Sequence, residues 1–315
     1  MGARVIRPGI AVVAQPMPGH PLAASNCYLI ATDDGAIVVD PGYDRPDTLD
    51  RLGAGLAAID RDLDDIRFVA LTHSHRDHAE AADVVRRRTG AAVALHPAES
   101  GGSSADRPPV GRDSPVPEAW GVPEGVRERL LARRRPSTPR ADVDLEPGWK
   151  VATTSGLLRV LHTPGHTAGS VCLVLDDVRL ILTGDHVLPG IHPGAGLGGR
   201  FPGNPLLLYR QSLHGMAAFA AYDAHPGHGD RMPSAHMPPV HVRAREIAAH
   251  HERRTRDVAD ELSHRPGLTV WELALRIRWS GGFDALDDGR QLSALRQTAW
   301  HRQIVREGGP PLWNG

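Results

Sequence analysis

The segment Thr72-His73-Ser74-His75-Arg76-Asp77-His78 places four cation-binding side chains, His73, His75, Asp77 and His78, within six residues. In an extended chain, residues two apart face the same side, so His73 and His75 present imidazoles to one point. Asp77 and His78, where the next turn begins, add an oxygen and a nitrogen beside it. Imidazole with carboxylate suits zinc, with iron or manganese as alternatives. Three further pieces carry the same chemistry: His162-Thr163-Pro164-Gly165-His166, Leu182-Thr183-Gly184-Asp185-His186 and Pro226-Gly227-His228-Gly229. Each ends an apolar run of strand character. Strand ends in α/β proteins collect on one edge, where ligands bind, and tight Gly and Pro turns there let short side chains converge.

Strands alternating with helices must position these groups. Residues 27–31 and 36–40 are β-rich runs around the turn signal Asp33-Asp34-Gly35. Residues 46–59 have helical periodicity, 68–71 form a short buried strand, 79–88 a helix stopped by Gly90, and 91–95 another strand. Residues 99–141 cluster Gly, Ser, Pro and Arg around one amphipathic piece at 124–133 and read as an insertion or lid. Strands at 157–161, 170–175 and 180–183 follow, then a Gly/Pro-rich loop at 187–204, a helix at 206–219 and a short strand near Tyr222. From residue 240 the chain changes to three Arg-rich helices. The expected division is therefore 1–239 for the site-bearing domain and 240–315 for a small helical one.

Composition narrows the function classes. A chain of 315 residues can bury a sizeable core, and a net charge of -1 argues against coating nucleic acid by charge alone. Eighteen histidines against 6 Trp, 4 Tyr and 4 Phe are the unusual number. Cys27 and Cys172, the two cysteines, sit in apolar runs and read as buried thiols. The apolar run at 9–14 is too short for a signal-peptide core, and nothing approaches the roughly 18 apolar residues of a membrane span. A soluble cytoplasmic protein with no membrane partner is the expectation.

Taken together, the four motifs resemble the metallo-β-lactamase superfamily, whose members carry HxHxDH followed by His, Asp and His ligands in this order. The resemblance covers residues 10–235. It implies an α/β fold, a four-layer αβ/βα sandwich with a two-metal site at one edge. Carried over residue by residue, it implies one Zn2+ held by His73, His75 and His166, the other by Asp77, His78 and His228, with Asp185 bridging. Asp40, in Val38-Val39-Asp40-Pro41-Gly42, resembles the family's acidic residue near the site. Asp40, Thr72 and His162 are expected to support the ligands, while Asp77 takes a proton in catalysis. Two close cations need a shared anionic ligand to offset their repulsion, and zinc lowers the pKa of water from 15.7 toward about 7, making hydroxide available at neutral pH. His186 is expected to face outward, and His20, His192, His214, His225 and the pair His250-His251 to be surface or internally satisfied histidines.

Two departures refine the resemblance. Glu80 stands where many relatives have glycine and is expected to narrow the entrance. The bridging position is Asp185 and not cysteine, so the chain more closely resembles the hydrolase branch of glyoxalase II and thioesterases than the antibiotic-degrading enzymes. From residue 240 it resembles the winged-helix domain of a subgroup with mammalian members that cleave RNA and fungal members that release polyketide acyl chains from carrier protein. Phe201-Pro202-Gly203-Asn204-Pro205, leading into Tyr209 and Ser212, resembles that subgroup too. Residues 241–315 hold 12 arginines against 10 acidic residues, far from a basic stripe. Nucleic acid is not the expected partner, and the helices are expected to pack on the sandwich, shaping the substrate entrance or a homodimer contact. The resulting expectation is a binuclear zinc hydrolase that cleaves a thioester or ester of a small acyl compound by metal-bound hydroxide. Its leaving group would be CoA, glutathione or a carrier protein. A metal-dependent ribonuclease is the main alternative, followed by a mononuclear iron oxygenase and a non-catalytic metal-binding regulator.

Overall fold

The structure is a computed structural model that describes residues 2–100, 118–132 and 138–309. Seven strands form the first sheet in sequential order: β1 (Arg4–Arg7), β2 (Ile10–Pro16), β3 (Ala24–Thr32), β4 (Gly35–Val39), β5 (Ile66–Ala70), β6 (Ala92–Leu95) and β7 (Val143–Asp144). The first four are antiparallel, and β4 to β7 run parallel. The second sheet has the order β12-β11-β10-β9-β8, from β8 (Lys150–Thr153), β9 (Gly156–His162), β10 (Val171–Leu175), β11 (Leu180–Gly184) and β12 (Asp223–Pro226). Its one parallel pair is β11 with β12.

Period-two alternation builds the layers. Along β2, Ile10 and Val12 enter the space between the sheets while Ala11 and Val13 face the opposite way. Along β10, Leu173 and Leu175 face inward, and Cys172 and Val174 face out. Helices cover both outer faces: α1 (Thr48–Ala57) and α3 (Ala82–Thr89) lay Leu52, Leu56 and Val85 on the first sheet. On the second sheet lie Leu206, Tyr209 and Leu213 of α6 (Pro205–Gly215) and Val240, Ala244 and Ile247 of α7 (Val240–His264). These helices and two facing sheets are the four layers of an αβ/βα sandwich. Both cysteines are buried and free.

The helix expected at 79–88 is instead two, α2 (Arg76–Ala79) and α3. The break has a local cause: the Ala81 N–H leaves the helix and donates to the Gly42 carbonyl at 2.9 Å, which ties the motif to the loop after β4. Gly90, at φ 76°, closes α3 in the left-handed cap that only glycine adopts without cost. Strands β1, β2, β7 and β8 were not apparent from the sequence pattern.

The amphipathic piece of the 99–141 segment is α5 (Glu124–Leu131), whose Leu130 is fully buried. It packs with α8 (Val270–Arg276) and α9 (Asp288–Arg306) around Phe283, Leu292 and Leu295. Residues 101–117 and 133–137 of that segment lie outside the described residues. The segment's first residue, Glu99, belongs to α4 (Pro97–Ser100) and is only 1% exposed. Among the described residues after 240 there are three helices and no strand, hence no β-wing. No helix among the described residues is long and apolar enough to cross a membrane.

Candidate metal centre

Every motif residue sits just past the carboxyl end of a strand. Asp40 follows β4; His73, His75, Asp77 and His78 follow β5; His166, Asp185 and His228 follow β9, β11 and β12. They converge into two groups, His73, His75, His166 and Asp185 in one and Asp77, His78 and His228 in the other, with the ligand atoms of each group within 4.8 Å of one another.

Hydrogen bonds fix which ring nitrogen faces inward. A carbonyl or carboxylate only accepts, so the ring nitrogen against it carries the proton and leaves the other nitrogen's lone pair free. His166 donates from Nδ1 to the Gly194 carbonyl at 2.8 Å, His228 from Nδ1 to the Ala24 carbonyl at 2.8 Å, and His78 from Nδ1 to the Asp40 carboxylate at 2.9 Å. The Thr72 hydroxyl gives its proton to Asp40 at 2.6 Å and so accepts from His73 Nδ1 at 3.1 Å. All four present Nε2 inward. His75 is turned the other way, with Nε2 toward the Leu197 carbonyl at 3.4 Å and Nδ1 inward.

These lone pairs meet head on. His75 Nδ1 lies 3.0 Å from both His73 Nε2 and His166 Nε2. His78 and His228 approach through Nε2 at 3.3 Å, with Asp77 Oδ2 at 3.7 and 3.2 Å from them. Asp185 reaches both groups, Oδ1 at 3.4 Å from His78 and 3.5 Å from His228, Oδ2 at 3.7 Å from His166. Its buried Oδ1 has no hydrogen-bond partner. Acceptors packed this closely repel unless a cation or proton lies between them, and edges near 3.3 Å are what tetrahedral coordination with bonds of about 2.0–2.1 Å requires. Space is kept for it: a Cβ on Gly227 would stand 2.5 Å from Asp185 Oδ1 and 2.7 Å from His78 Cε1. The donor set therefore fits divalent metal ions.

Electrostatics distinguish the two groups. Burial, reinforced by neighbouring histidines, pushes the His73 pKa well below its ordinary value, and burial also lowers that of His166. These rings stay neutral with lone pairs available. His78 is pushed the other way: burial disfavours its charge, but Asp185, Asp77 and Asp40 outweigh that and hold the pKa well above normal. Against a similar burial penalty, Asp185 and Asp77 raise that of His228. The same imidazoles hold both aspartates low although burial alone would raise them.

Asp40, in the left-handed region at φ 54°, supports the site from behind by accepting from the Thr72 N–H at 2.8 Å, the Thr72 hydroxyl and His78. His162 donates from Nε2 to the Ala168 carbonyl at 2.9 Å and stacks on His96, so it shapes the turn that carries His166. Glu80 pairs with Arg76, whose guanidinium lies over the Tyr43 ring at 5.5 Å. His186 does not face outward: it is buried against Tyr209, whose hydroxyl donates to the His186 carbonyl at 2.6 Å. His251, expected to be bland, is buried among Tyr209, His250 and His301.

Sequence reasoning missed Glu99. Its carboxylate accepts from the Ser74 N–H at 3.1 Å, the Ser74 hydroxyl and the Gly169 N–H at 2.7 Å, joining the His73–His75 turn to the one that carries His166. No spacing pattern marks it, since its partners lie 25 and 70 residues away.

The sequence pattern of the metallo-beta-lactamase superfamily matches residues 20–228, and the chain belongs to that superfamily. Among curated relatives it is 26% identical over 269 residues to the lactamase-like protein aptB of Emericella nidulans, covering 81% of this chain and 69% of that one. It is 25% identical over 214 residues to the thioesterase pkgB of the same organism, covering 66% of this chain and 47% of pkgB. Among solved structures, the metallo-beta-lactamase family protein TTHA1429 of Thermus thermophilus matches with a TM-score of 0.70 and 25% identity over 98% of both chains. A beta-lactamase domain protein from Burkholderia ambifaria has the same fold, with a TM-score of 0.70, 20% identity, and 97% of this chain and 88% of that one covered.

Proposed function

We propose that the protein is a binuclear zinc hydrolase that cleaves a thioester or ester of a small acyl compound. The observation that carries the reading is the pair of ligand groups joined through Asp185, whose two oxygens reach one group each. In this reading His73, His75 and His166 hold one ion, Asp77, His78 and His228 hold the other, and Asp185 serves both. When bound, such a pair polarises an acyl carbonyl and lowers the pKa of water enough to supply a nucleophile at neutral pH. The chain's part is to aim the ligand nitrogens, which the Gly194, Ala24 and Leu197 carbonyls and Asp40 do. Asp77, whose Oδ2 lies 3.2 Å from His228, is the carboxylate to which this reading assigns the catalytic proton.

Acyl chemistry is favoured over nucleic-acid cleavage by the near-neutral charge of residues 241–315 and by the resemblance to a protein named a thioesterase. The test is a turnover panel of acyl thioesters, acyl esters and single-stranded RNA on protein whose metal content has been measured. Two zinc ions per chain, thioester or ester turnover that chelation abolishes, and intact RNA are expected. RNA cleavage without acyl turnover would replace the reading by a nuclease, and one iron per chain would replace it by oxygen chemistry.

A further inference from the structure

Between β11 and α6 the chain runs from Asp185 to Asn204 as a Gly/Pro-rich loop, and its two sides meet different neighbours. One side faces the three-imidazole group. The Gly194 carbonyl accepts from His166 Nδ1, the Leu197 N–H donates to the His166 carbonyl at 2.9 Å, and the Leu197 carbonyl faces His75 Nε2. The other side is held by α7. Arg243, 7% exposed, donates from Nε to the Leu188 carbonyl at 2.8 Å and from Nη2 to the Ile191 carbonyl at 2.8 Å, while Nη1 pairs with Glu246 at 2.7 Å. Two turns on, His251 Nε2 donates to the Pro193 carbonyl at 3.2 Å, one peptide before the carbonyl that aims His166.

A buried guanidinium is an expensive thing to keep, and this one donates from each of its three nitrogens, two of them to carbonyls of an irregular loop whose earlier half it restricts. The loop's hydrogen bonds run outward: the Gly196 N–H to the Gly165 carbonyl at 2.8 Å, the Ala168 N–H to the Gly198 carbonyl at 2.9 Å and the Arg200 N–H to the Ala98 carbonyl at 3.1 Å hold its later half, and α7 holds the earlier half. An imidazole ligand needs its far nitrogen anchored to keep ring rotation and tautomer fixed. The anchor for His166, the Gly194 carbonyl, follows directly on the Pro193 carbonyl that α7 holds through His251.

We infer that Arg243 and His251 are positioning residues for the His73–His75–His166 ion, so that the C-terminal helices belong to the metal centre. The inference rests on the metal reading above and not on the identity of the substrate.

The test is Co2+ affinity of the full-length chain, read by equilibrium dialysis and visible absorption. His228→Ala and His166→Ala backgrounds each leave one group intact. Arg243→Met should weaken the three-imidazole group about 10-fold, the low end for groups behind a metal ligand, and alter the Asp77–His78 group less than about 2-fold. His251→Phe, which keeps the ring and loses the donor, should act in the same direction and serves if Arg243→Met does not fold. Val258→Ala, a fully buried α7 position away from the loop, controls for general loosening and should leave both affinities unchanged. Equal weakening of both groups, no weakening of either, or an equal effect from Val258→Ala would overturn the inference while the metal reading stands. A wild-type chain that takes up no Co2+ would overturn the metal reading and this inference with it.

Discussion

Replacing Glu99 by Gln changes one oxygen to an NH2 and almost nothing in volume, yet each of the two oxygens faces a backbone N–H, which can only donate. Glu99 faces the Ser74 N–H and hydroxyl on one oxygen and the Gly169 N–H on the other. Whichever way the amide is turned, its NH2 meets a backbone N–H. One buried N–H is stranded, at about 1–3 kcal/mol, and the charge assistance of the remaining bonds is lost, at about 1 kcal/mol more. Escape by movement is blocked at Gly169, where even a Cβ would come within 2.6 Å of Glu99 Cγ. The sum, about 2–4 kcal/mol, lowers the melting midpoint by about 4–8 °C at the roughly 2 °C per kcal/mol of a large domain. Circular dichroism melts of chelated protein measure this without interference from bound ions, and Glu80→Gln, in an exposed pair with Arg76, should stay within about 0.5 kcal/mol of wild type. A midpoint for Glu99→Gln within about 1 °C of wild type would refute the claim that this carboxylate joins the two ligand turns.

Asp185→Asn should leave the melting midpoint of the chelated protein nearly unchanged and reduce turnover by more than about 100-fold, beyond what loss of a supporting group produces, with turnover measured on protein of known metal content. Asp40→Asn puts an NH2 against one of three donors and should weaken metal binding at the His78 group about 10- to 100-fold in dialysis. Gly227→Ala, whose Cβ would stand 2.5 Å from Asp185 Oδ1, should reduce bound metal below two ions per chain by elemental analysis. His301, fully buried, has its pKa held well below 6.5, first by burial and then by His251, Arg254 and His250. The unfolded chain therefore binds a proton below pH 6.5 that the folded chain refuses. This group's contribution is complete above that pH and is lost as pH falls, by about 1.4 kcal/mol between pH 7.5 and 5.5. Urea denaturation of His301→Phe should show a pH slope shallower by that amount, and an unchanged slope would refute the assignment.

How far the sequence could be read follows from where each signal lies. His73, His75, Asp77 and His78 were legible because one turn holds them all, and His166, Asp185 and His228 because each ends an apolar strand. The strands were legible as β-rich apolar runs such as 27–31 and 170–175. Glu99, Arg243 and His251 were not legible: each acts on a backbone group distant in sequence, and backbone partners leave no mark in residue type. Arg243 lies in a helix rich in solvent-facing arginines, where nothing in the pattern singles out the buried one. The split of α2 from α3 was hidden for the same reason, since it follows from a hydrogen bond to the Gly42 carbonyl. The short edge strands β1, β7 and β8 gain their structure from a neighbour more than from their own residues.

The two sheets contribute to the centre from opposite banks. The turns after β4 and β5 belong to the seven-stranded sheet, those after β9, β11 and β12 to the five-stranded one. Direct ties across this seam exist, with the Tyr28 hydroxyl donating to the Pro226 carbonyl at 2.6 Å and the Asn26 N–H to the Gly227 carbonyl at 2.7 Å. Ions held as proposed would act as rivets through both layers. An unfolded chain cannot gather the complete sets, which draw on His166, Asp185 and His228 as well as the 73–78 turn, so free metal at a hundred times its dissociation constant adds up to about 2.7 kcal/mol per site to cohesion. The survival of the fold against proteases would then track metal supply, and a cell short of the ion would lose the protein itself along with its turnover.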